Sequence, residues 1–320
     1  MFDALAIGEL LIDFACLSTD EDQYPTMAAH PGGAPANFLA ALQKFGAKTA
    51  FISKVGSDAF GRLLKGTLQK AGIDASGVVV CGDTFTTLAF VTFDAEGDRE
   101  FSFARKPGAD TRLRRDEIDT ALIDQSGLLH FGTLSLTDEP ARSATQFAVR
   151  YAREHGKLIT FDPNLRKPLW DSLDEAKKQM LWGLGQADVV KISDEESDFL
   201  FGELPYEKAA EKICTEFGVR LVFLTLGKSG CLYRNARACG SVPGLTGLRT
   251  IDTTGAGDIF GGSAVWKLLQ TGKAPEELDG EELRGIARFA CVSAGLSTTK
   301  PGGIFSVPSL EEVESMLKTL

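Results

Sequence analysis

The residues that could do chemistry sit mostly in two glycine-bearing segments. Near the carboxyl end runs Asp252-Thr253-Thr254-Gly255-Ala256-Gly257-Asp258, after what reads as a strand ending at Thr250-Ile251 and before a helix pattern. Backbone N–H groups at a helix amino terminus lack intrahelical partners, and the helix dipole favours negative charge there. Gly255 and Gly257 leave those donors open to an approaching phosphate, which makes an anion cradle. Asp258, in the first turn, would repel a resting phosphate. It fits a base that accepts the proton of an attacking hydroxyl while the amides stabilise charge on the transferred group. The plainer alternative is that Asp258 complements the dipole, worth ~0.3–1 kcal/mol. An aspartate with a reference pKa of ~3.9 would be ionised at neutral pH without any special shift. Along the same helix, Gly261, Gly262 and Ala264 would allow close approach to the sheet.

The second segment, Gly32-Gly33-Ala34-Pro35-Ala36-Asn37, opens another helix. Pro35 suits a first turn, Phe38, Leu42 and Phe45 share a face, and Gly46 stops it. Asn37 offers a donor and an acceptor, for a polyol or merely for helix-end capping. Asp13, just past the first strand, could accept bonds from vicinal hydroxyls. Two decoys fall away. Gly255-Ala256-Gly257 continues as GxGxxxG, which is not the dinucleotide fingerprint. Gly227-Lys228-Ser229 lacks the upstream P-loop glycine, since that position is Val222.

These segments need a frame. Short apolar runs at Ala4 to Ile7, Lys48 to Ser53, Leu128 to Phe131, Leu158 to Phe161, Val189 to Ile192 and Leu221 to Leu226 predict buried strands. Amphipathic stretches such as Ala141 to Glu154 and Tyr206 to Glu216 lie between them. The alternation predicts an α/β fold over residues 1–320 with a mostly parallel sheet, helices on both faces and ligand sites at the strand carboxyl ends. Two segments break the rhythm, about 13–31 and 84–106. The second alternates Thr87, Ala89, Val91 and Phe93, then Phe101 and Phe103 after a turn at Gly97-Asp98. They predict a small separate sheet, either a lid or a surface hairpin.

Composition excludes several classes. The 320 residues carry a formal net charge of −10 and no Lys/Arg run, so a nucleic-acid partner is not expected. No apolar run approaches the ~20 residues of a membrane span, and Met1-Phe2-Asp3 lacks the basic start of a secretory leader. A cytoplasmic protein is the expectation. Cys16, Cys81, Cys214, Cys231, Cys239 and Cys291 form no CxxC pair and read as reduced thiols. His30, His130 and His155 lack metal-ligand spacing and read as structural.

In combination, Gly32-Gly33 with Asn37 and the segment from Asp252 to Asp258 resemble the two signatures of the ribokinase-like carbohydrate kinases, the PfkB family. Gly8-Glu9-Leu10-Leu11-Ile12-Asp13, His130 to Leu136, Phe161-Asp162-Pro163-Asn164-Leu165-Arg166 and Lys191-Ile192-Ser193-Asp194-Glu195-Glu196 look most like the bacterial and plant fructokinases. The resemblance implies ATP-dependent phosphorylation of a sugar, with Asp258 as base and Gly255, Ala256 and Gly257 as anion hole. It implies that Asp13, Gly32, Gly33, Asn37, Phe101, Phe103 and Arg166 hold the sugar. Lys191, Ser193, Glu196, Thr225, Gly227 and Gly230 would serve the nucleotide, with Ala290 and Ser293 near adenine. Glu196 would organise Mg2+ through water. Ser193 stands where the family has Asn. A K+ site is open at Asp252, Thr254, Ser297, Lys300, Gly302 and Ser306, several through backbone carbonyls. Fructose is the expected acceptor. 2-Keto-3-deoxygluconate, met by Arg166, is the nearest rival, followed by a nucleoside. A non-catalytic sugar sensor and a dehydrogenase are the readings from other classes. An exposed lid edge could pair two subunits.

Overall fold

Strand–helix alternation in the sequence becomes a doubly covered sheet. The computed structural model describes residues 1–22, 24–93 and 99–320, without the side chains of residues 93 and 99–101. In chain order, β1 (Phe2–Ile7) leads into a hairpin of β2 (Leu11–Thr19) and β3 (Pro25–Gly32), then α1 (Ala34–Lys44), β4 (Thr49–Gly56), α2 (Ala59–Ala71) and β5 (Val78–Cys81). A second antiparallel pair, β6 (Leu88–Phe93) and β7 (Arg99–Ala104), follows, then α3 (Thr120–Asp124), β8 (Ser126–Gly132), α4 (Ala141–Glu154) and β9 (Leu158–Asp162). Next come α5 (Leu173–Leu184), β10 (Val189–Ser193), α6 (Asp194–Phe201), α7 (Tyr206–Phe217), β11 (Leu221–Thr225), β12 (Cys231–Asn235) and β13 (Cys239–Val242). The chain ends with α8 (Ala256–Thr271), α9 (Gly280–Ser297) and α10 (Leu310–Thr319).

The large sheet has nine strands in the order β13-β12-β11-β10-β9-β8-β1-β4-β5. All neighbours pair in parallel except β11–β12 and β12–β13. From β1 the chain runs outward on one side through β4 and β5, and from β8 outward on the other. The β1/β8 boundary is thus the switch point, where a crevice opens beyond the strand ends. Successive strand residues face opposite layers. Leu5 and Ile7 join a core with α4, α5 and α7, whereas Ala4 and Ala6 join one with α1 and α8.

Helix α8 is buried almost all round, wedged between α1 and α9. The sequence suggested that its glycines approach the sheet. Gly262 approaches α1 instead, where a Cβ would run into the Phe38 carbonyl oxygen and stand 2.8 Å from Ala41 Cβ, whereas Ala264 packs with Val189 and Phe223 of the sheet. Nor is there a strand at Thr250-Ile251. Ile251 is exposed, and the Ile251 and Asp252 N–H groups both donate to the Thr298 carbonyl at the end of α9, so the segment is a docked loop.

The small sheet has four strands in the order β3-β2-β6-β7. The segments that broke the helical rhythm do form it, and the turn expected at Gly97-Asp98 lies outside the described residues. Its root is fixed by a buried cluster. Arg105 donates to Asp110 Oδ2 (2.7 and 2.9 Å), to the Leu134 carbonyl (2.7 Å) and to Thr137 Oγ1 (2.8 Å), and Thr87 Oγ1 donates to Asp110 Oδ1. The six cysteines are free thiols. His130 is buried, stacked on Phe38 at 3.7 Å and bonded to Thr160 Oγ1, and burial pulls its pKa down to about 3, which makes it a core residue. No helix among the described residues is long and apolar enough to cross a membrane.

Candidate active site

The α1 and α8 amino termini meet at the switch point, and they bring the two glycine segments of the sequence together. Gly255 ends the loop into α8 with φ 76°, a left-handed conformation that glycine adopts without a Cβ penalty. A Cβ there would press on Asn37 Nδ2 (3.0 Å) and Gly303 Cα (3.1 Å), and one on Gly257 would press on Lys191 Nζ (3.1 Å). Gly255 and Gly257 both line the cavity, with the Lys191 ammonium at its edge. Of the three residues expected to build the anion hole, Ala256 differs: its N–H donates to the Thr253 carbonyl at 3.2 Å.

Asp258 is 8% exposed and lies on the floor of a cavity of ≈ 280 Å³. That is near the small end of ligand pockets, ~300–1,000 Å³, as suits a monosaccharide. Two amides aim its carboxylate. Asn37 Nδ2 donates to Oδ2 at 2.9 Å, and Asn164 Nδ2 donates to Oδ1 at 2.8 Å. Asn164 follows β9 with φ 45°, left-handed and uncommon for a side-chain-bearing residue, which is how it turns back over the strand end. Burial pushes the Asp258 pKa up; the Asn37 bond, Lys191, Arg166 and the Asn164 bond pull it down. The expectation of an unshifted aspartate is thus corrected, because the site is drier than a surface position.

Above the floor, the small sheet supplies Leu11, Asp13, Val91 and Phe103 to the lining. Gly32 pairs with Leu11 beside Asp13, and any Cβ on it would collide with the Asp13 carboxylate. Burial raises Asp13 to about 7, against the pull of Arg166. Phe101 pairs with Val91 in the strand register, but its side chain lies outside the described residues. Arg166 is exposed at the cavity mouth.

Beside the α8 amides, Lys191 forms a buried ion pair with Asp162 at 3.1 Å. Burial pulls Lys191 down, but Asp162, Glu196 and Asp258 outweigh it and hold the ammonium up at about 12. Ser193 caps α6, and Glu196 closes a reciprocal capping box with it. Ser193 can replace Asn because a helix cap needs only a side-chain oxygen. Glu196 Oε1 and Oε2 accept from the N–H groups of Leu165 (2.8 Å) and Ser193 (2.9 Å), and the residue still lines the cavity.

Other expected nucleotide residues lie apart. Thr225 ends β11 beside Ser193 of β10, and Gly227 follows two residues later, both outside the cavity lining. Gly230 is a packing glycine whose Cβ would stand 2.6 Å from Gly244 N. Ala290 and Ser293 have no accessible surface. Ser293 Oγ bonds Ser263 Oγ (2.8 Å) between α8 and α9, so neither side chain is presented to a ligand.

The expected cation residues gather between the Asp252 loop and the segment after α9. Asp252 Oδ1 accepts from Thr254 N (2.9 Å) and Oγ1 (2.7 Å), and Oδ2 accepts from Gly302 N (2.9 Å). Ser297 and Ser306 hydroxyls donate to the carbonyls of Ala294 and Gly303, and Lys300 pairs with Glu312 at 3.3 Å. These polar side chains already have partners within the chain, and the serine partners are backbone carbonyls. Among the described residues, no cluster of three or more His, Cys, Asp or Glu could hold a metal.

Sequence reasoning missed Glu9, Asn164, Asp162 and Leu134 as parts of the site. An acid directly after the first strand and the Asp-Pro-Asn turn were the available signals.

Residues 1–310 match the pfkB family carbohydrate kinases. The chain is 39% identical over 316 residues to fructokinase-2 of Solanum lycopersicum, covering 98% of this chain and 95% of that protein. Among solved structures, fructokinase with bound ATP from Xylella fastidiosa superimposes with a TM-score of 0.91 at 29% identity, over 100% of this chain and 99% of that one. A fructokinase double mutant of Vibrio cholerae O395, with fructose, ADP and potassium bound, does so with a TM-score of 0.87 at 30% identity, over 99% and 98% of the two chains. The fold is ribokinase-like, and the chain belongs to the pfkB family of carbohydrate kinases.

Proposed function

We propose that the protein transfers the γ-phosphoryl group of ATP to the primary O6 hydroxyl of fructose. The carrying observation is Asp258, held by two side-chain amides on the floor of a sugar-sized cavity, in the first turn of α8 beside the cavity-lining Gly255 and Gly257. Fructose lies under the small sheet, with Asp13 and Asn37 on its hydroxyls and Phe103 against its carbon face. Asp258 takes the O6 proton as the oxygen attacks phosphorus in line, and ADP leaves. The α8 amides and Lys191 meet the charge on the moving phosphoryl group, so positioning and electrostatics supply the catalysis.

Charge favours a neutral ketose over a sugar acid. Glu9, Asp13, Glu196 and Asp258 line the cavity, Lys191 is paired with Asp162, and Arg166 stands at the exposed mouth, where phosphate also approaches. The relatives named above support fructose. A divalent ion arriving with ATP would neutralise phosphate charge; Glu196, already tied to two N–H groups, would hold it through water. Thr225 and Gly227 would border the nucleotide beyond β11. A potassium ion bound by carbonyls near Asp252 and Gly302 belongs to the same proposal, as does a homodimer joined through the lid edges.

The test is ATP turnover with fructose, ribose, 2-keto-3-deoxygluconate and adenosine side by side, together with Asp258→Asn. Fructose should give the highest kcat/KM. The variant should lose about 100-fold or more in kcat while still binding fructose by calorimetry. A near-normal kcat in Asp258→Asn would refute the assignment of the base.

A further inference from the structure

Helix α1 begins without a cap of its own. Its N-cap residue is Gly33, which has no side chain to accept the first-turn N–H groups. A serine or aspartate could not stand there, because φ is +118° and a Cβ would lie 2.5 Å from the Glu9 carbonyl oxygen. The acceptor comes from elsewhere in the chain. Glu9, at the turn after β1, is 2% exposed, and its Oε1 accepts from the Ala34 N–H at 2.9 Å. The turn is pressed on α1 from a second side too, since a Cβ on Gly8 would stand 2.6 Å from Pro35 Cγ.

What α1 carries makes this matter. Asn37 lies in its first turn, and Asn37 N donates to the Gly33 carbonyl at 3.1 Å. Its side chain gives Nδ2 to Asp258, while the buried Oδ1 has no partner among the described residues. Asn37 is thus held in an orientation that satisfies Asp258 at its own expense, so the backbone under it must be fixed. We propose that Glu9 is a positioning residue: as a remote cap on α1 it holds Asn37 against Asp258. The inference rests on Asp258 being the base, and it needs no contact between Glu9 and the sugar.

The charges around both ends are known. Asp258 is faced by Asn37 from α1, by Asn164 and Arg166 from the loop after β9, by Lys191 with Asp162 from β10 and β9, and by Asp13 from the small sheet. Glu9 is faced by Arg105 and Asp110 at the lid root, and burial raises it to about 7. Losing the Asn37 bond removes a contribution that lowers the Asp258 pKa, so activity would begin to fall at a higher pH.

Two conservative variants separate reach from charge. Glu9→Gln keeps an acceptor at the same length and removes the charge; Glu9→Asp keeps the charge and withdraws the acceptor by one methylene. The assay is the pH profile of kcat at saturating fructose from 5.5 to 9, with thermal midpoints measured beside it. Glu9→Gln should be the milder of the two variants, with its acid limb in place. Glu9→Asp should lose about tenfold or more, with its acid limb moved to higher pH, as expected for a weakened hydrogen bond to a charged group. The proposal is overturned if Glu9→Asp is normal, if Glu9→Gln is the more impaired, or if both fall together with the limb unmoved. Those outcomes leave the reading of Asp258 intact, because Asp258→Asn tests it separately.

Discussion

The contact between α1 and α8 invites a single added methyl group. In Gly262→Ala the new Cβ meets Ala41 Cβ at 2.8 Å and collides with the Phe38 carbonyl oxygen, which is backbone and cannot swing aside. Carbon atoms rest ~3.5–4.0 Å apart, so the helices must separate by about 1 Å. Overpacking of this kind costs about 1–3 kcal/mol. With an unfolding entropy of about 2.1 cal/mol/K per residue over 320 residues, a loss of about 2 kcal/mol lowers Tm by about 3 °C. The same separation stretches the 2.9 Å bond from Asn37 to Asp258, since each helix carries one of the partners. We therefore expect kcat to fall about tenfold or more alongside the modest drop in Tm. Differential scanning calorimetry and a coupled ADP-release assay on one preparation read both. An unchanged Tm, or a lowered Tm with full kcat, would show that the α1–α8 contact does not set the site.

Asn164→Gly removes the second amide on Asp258 while suiting the left-handed backbone. A hydrogen bond to a charged group is worth ~1.5–3 kcal/mol, so the acid limb of kcat should rise by about one to two pH units; an unmoved limb would refute the pairing. Asp13 titrates at about 7 when folded and near 3.8 otherwise, so it stabilises the sugar-free protein at low pH and loses that contribution as pH rises through 7. Asp13→Asn should then raise the Tm of the sugar-free protein at pH 8 by a few degrees and weaken fructose binding, both by thermal shift with and without sugar. In the unaltered protein the KM for fructose should fall between pH 6 and 8 as Asp13 ionises into a better acceptor; a flat KM would count against that role.

The sequence made the frame readable because burial writes itself into composition. Apolar runs such as Leu221 to Leu226 and the alternation from Thr87 to Phe93 have few other uses, and both became strands. The glycine pairs were legible for a related reason, since close approach tolerates no side chain. What the sequence hid was partnership at a distance. Nothing near Glu9 says that it caps a helix beginning at Ala34, and nothing near Asn164 says that its amide meets Asp258. Nor does anything near Ser293, assigned to the adenine side by resemblance, say that its hydroxyl bonds Ser263 between two helices. Thr250-Ile251 misled because a β-branched pair before a glycine loop resembles a strand end, although here α9 supplies the acceptor.

Asn37 and Asp258 are 221 positions apart in the chain. A ribosome releases the first long before the second, and domains fold from the amino terminus as they emerge. Until α8 arrives, in the last fifth of the chain, the apolar flank of α1 that packs on it is uncovered and Asn37 lacks the carboxylate it holds. With Asp258 as the proposed base, a chain ending before Ala256 is expected to show no sugar-dependent ATP turnover.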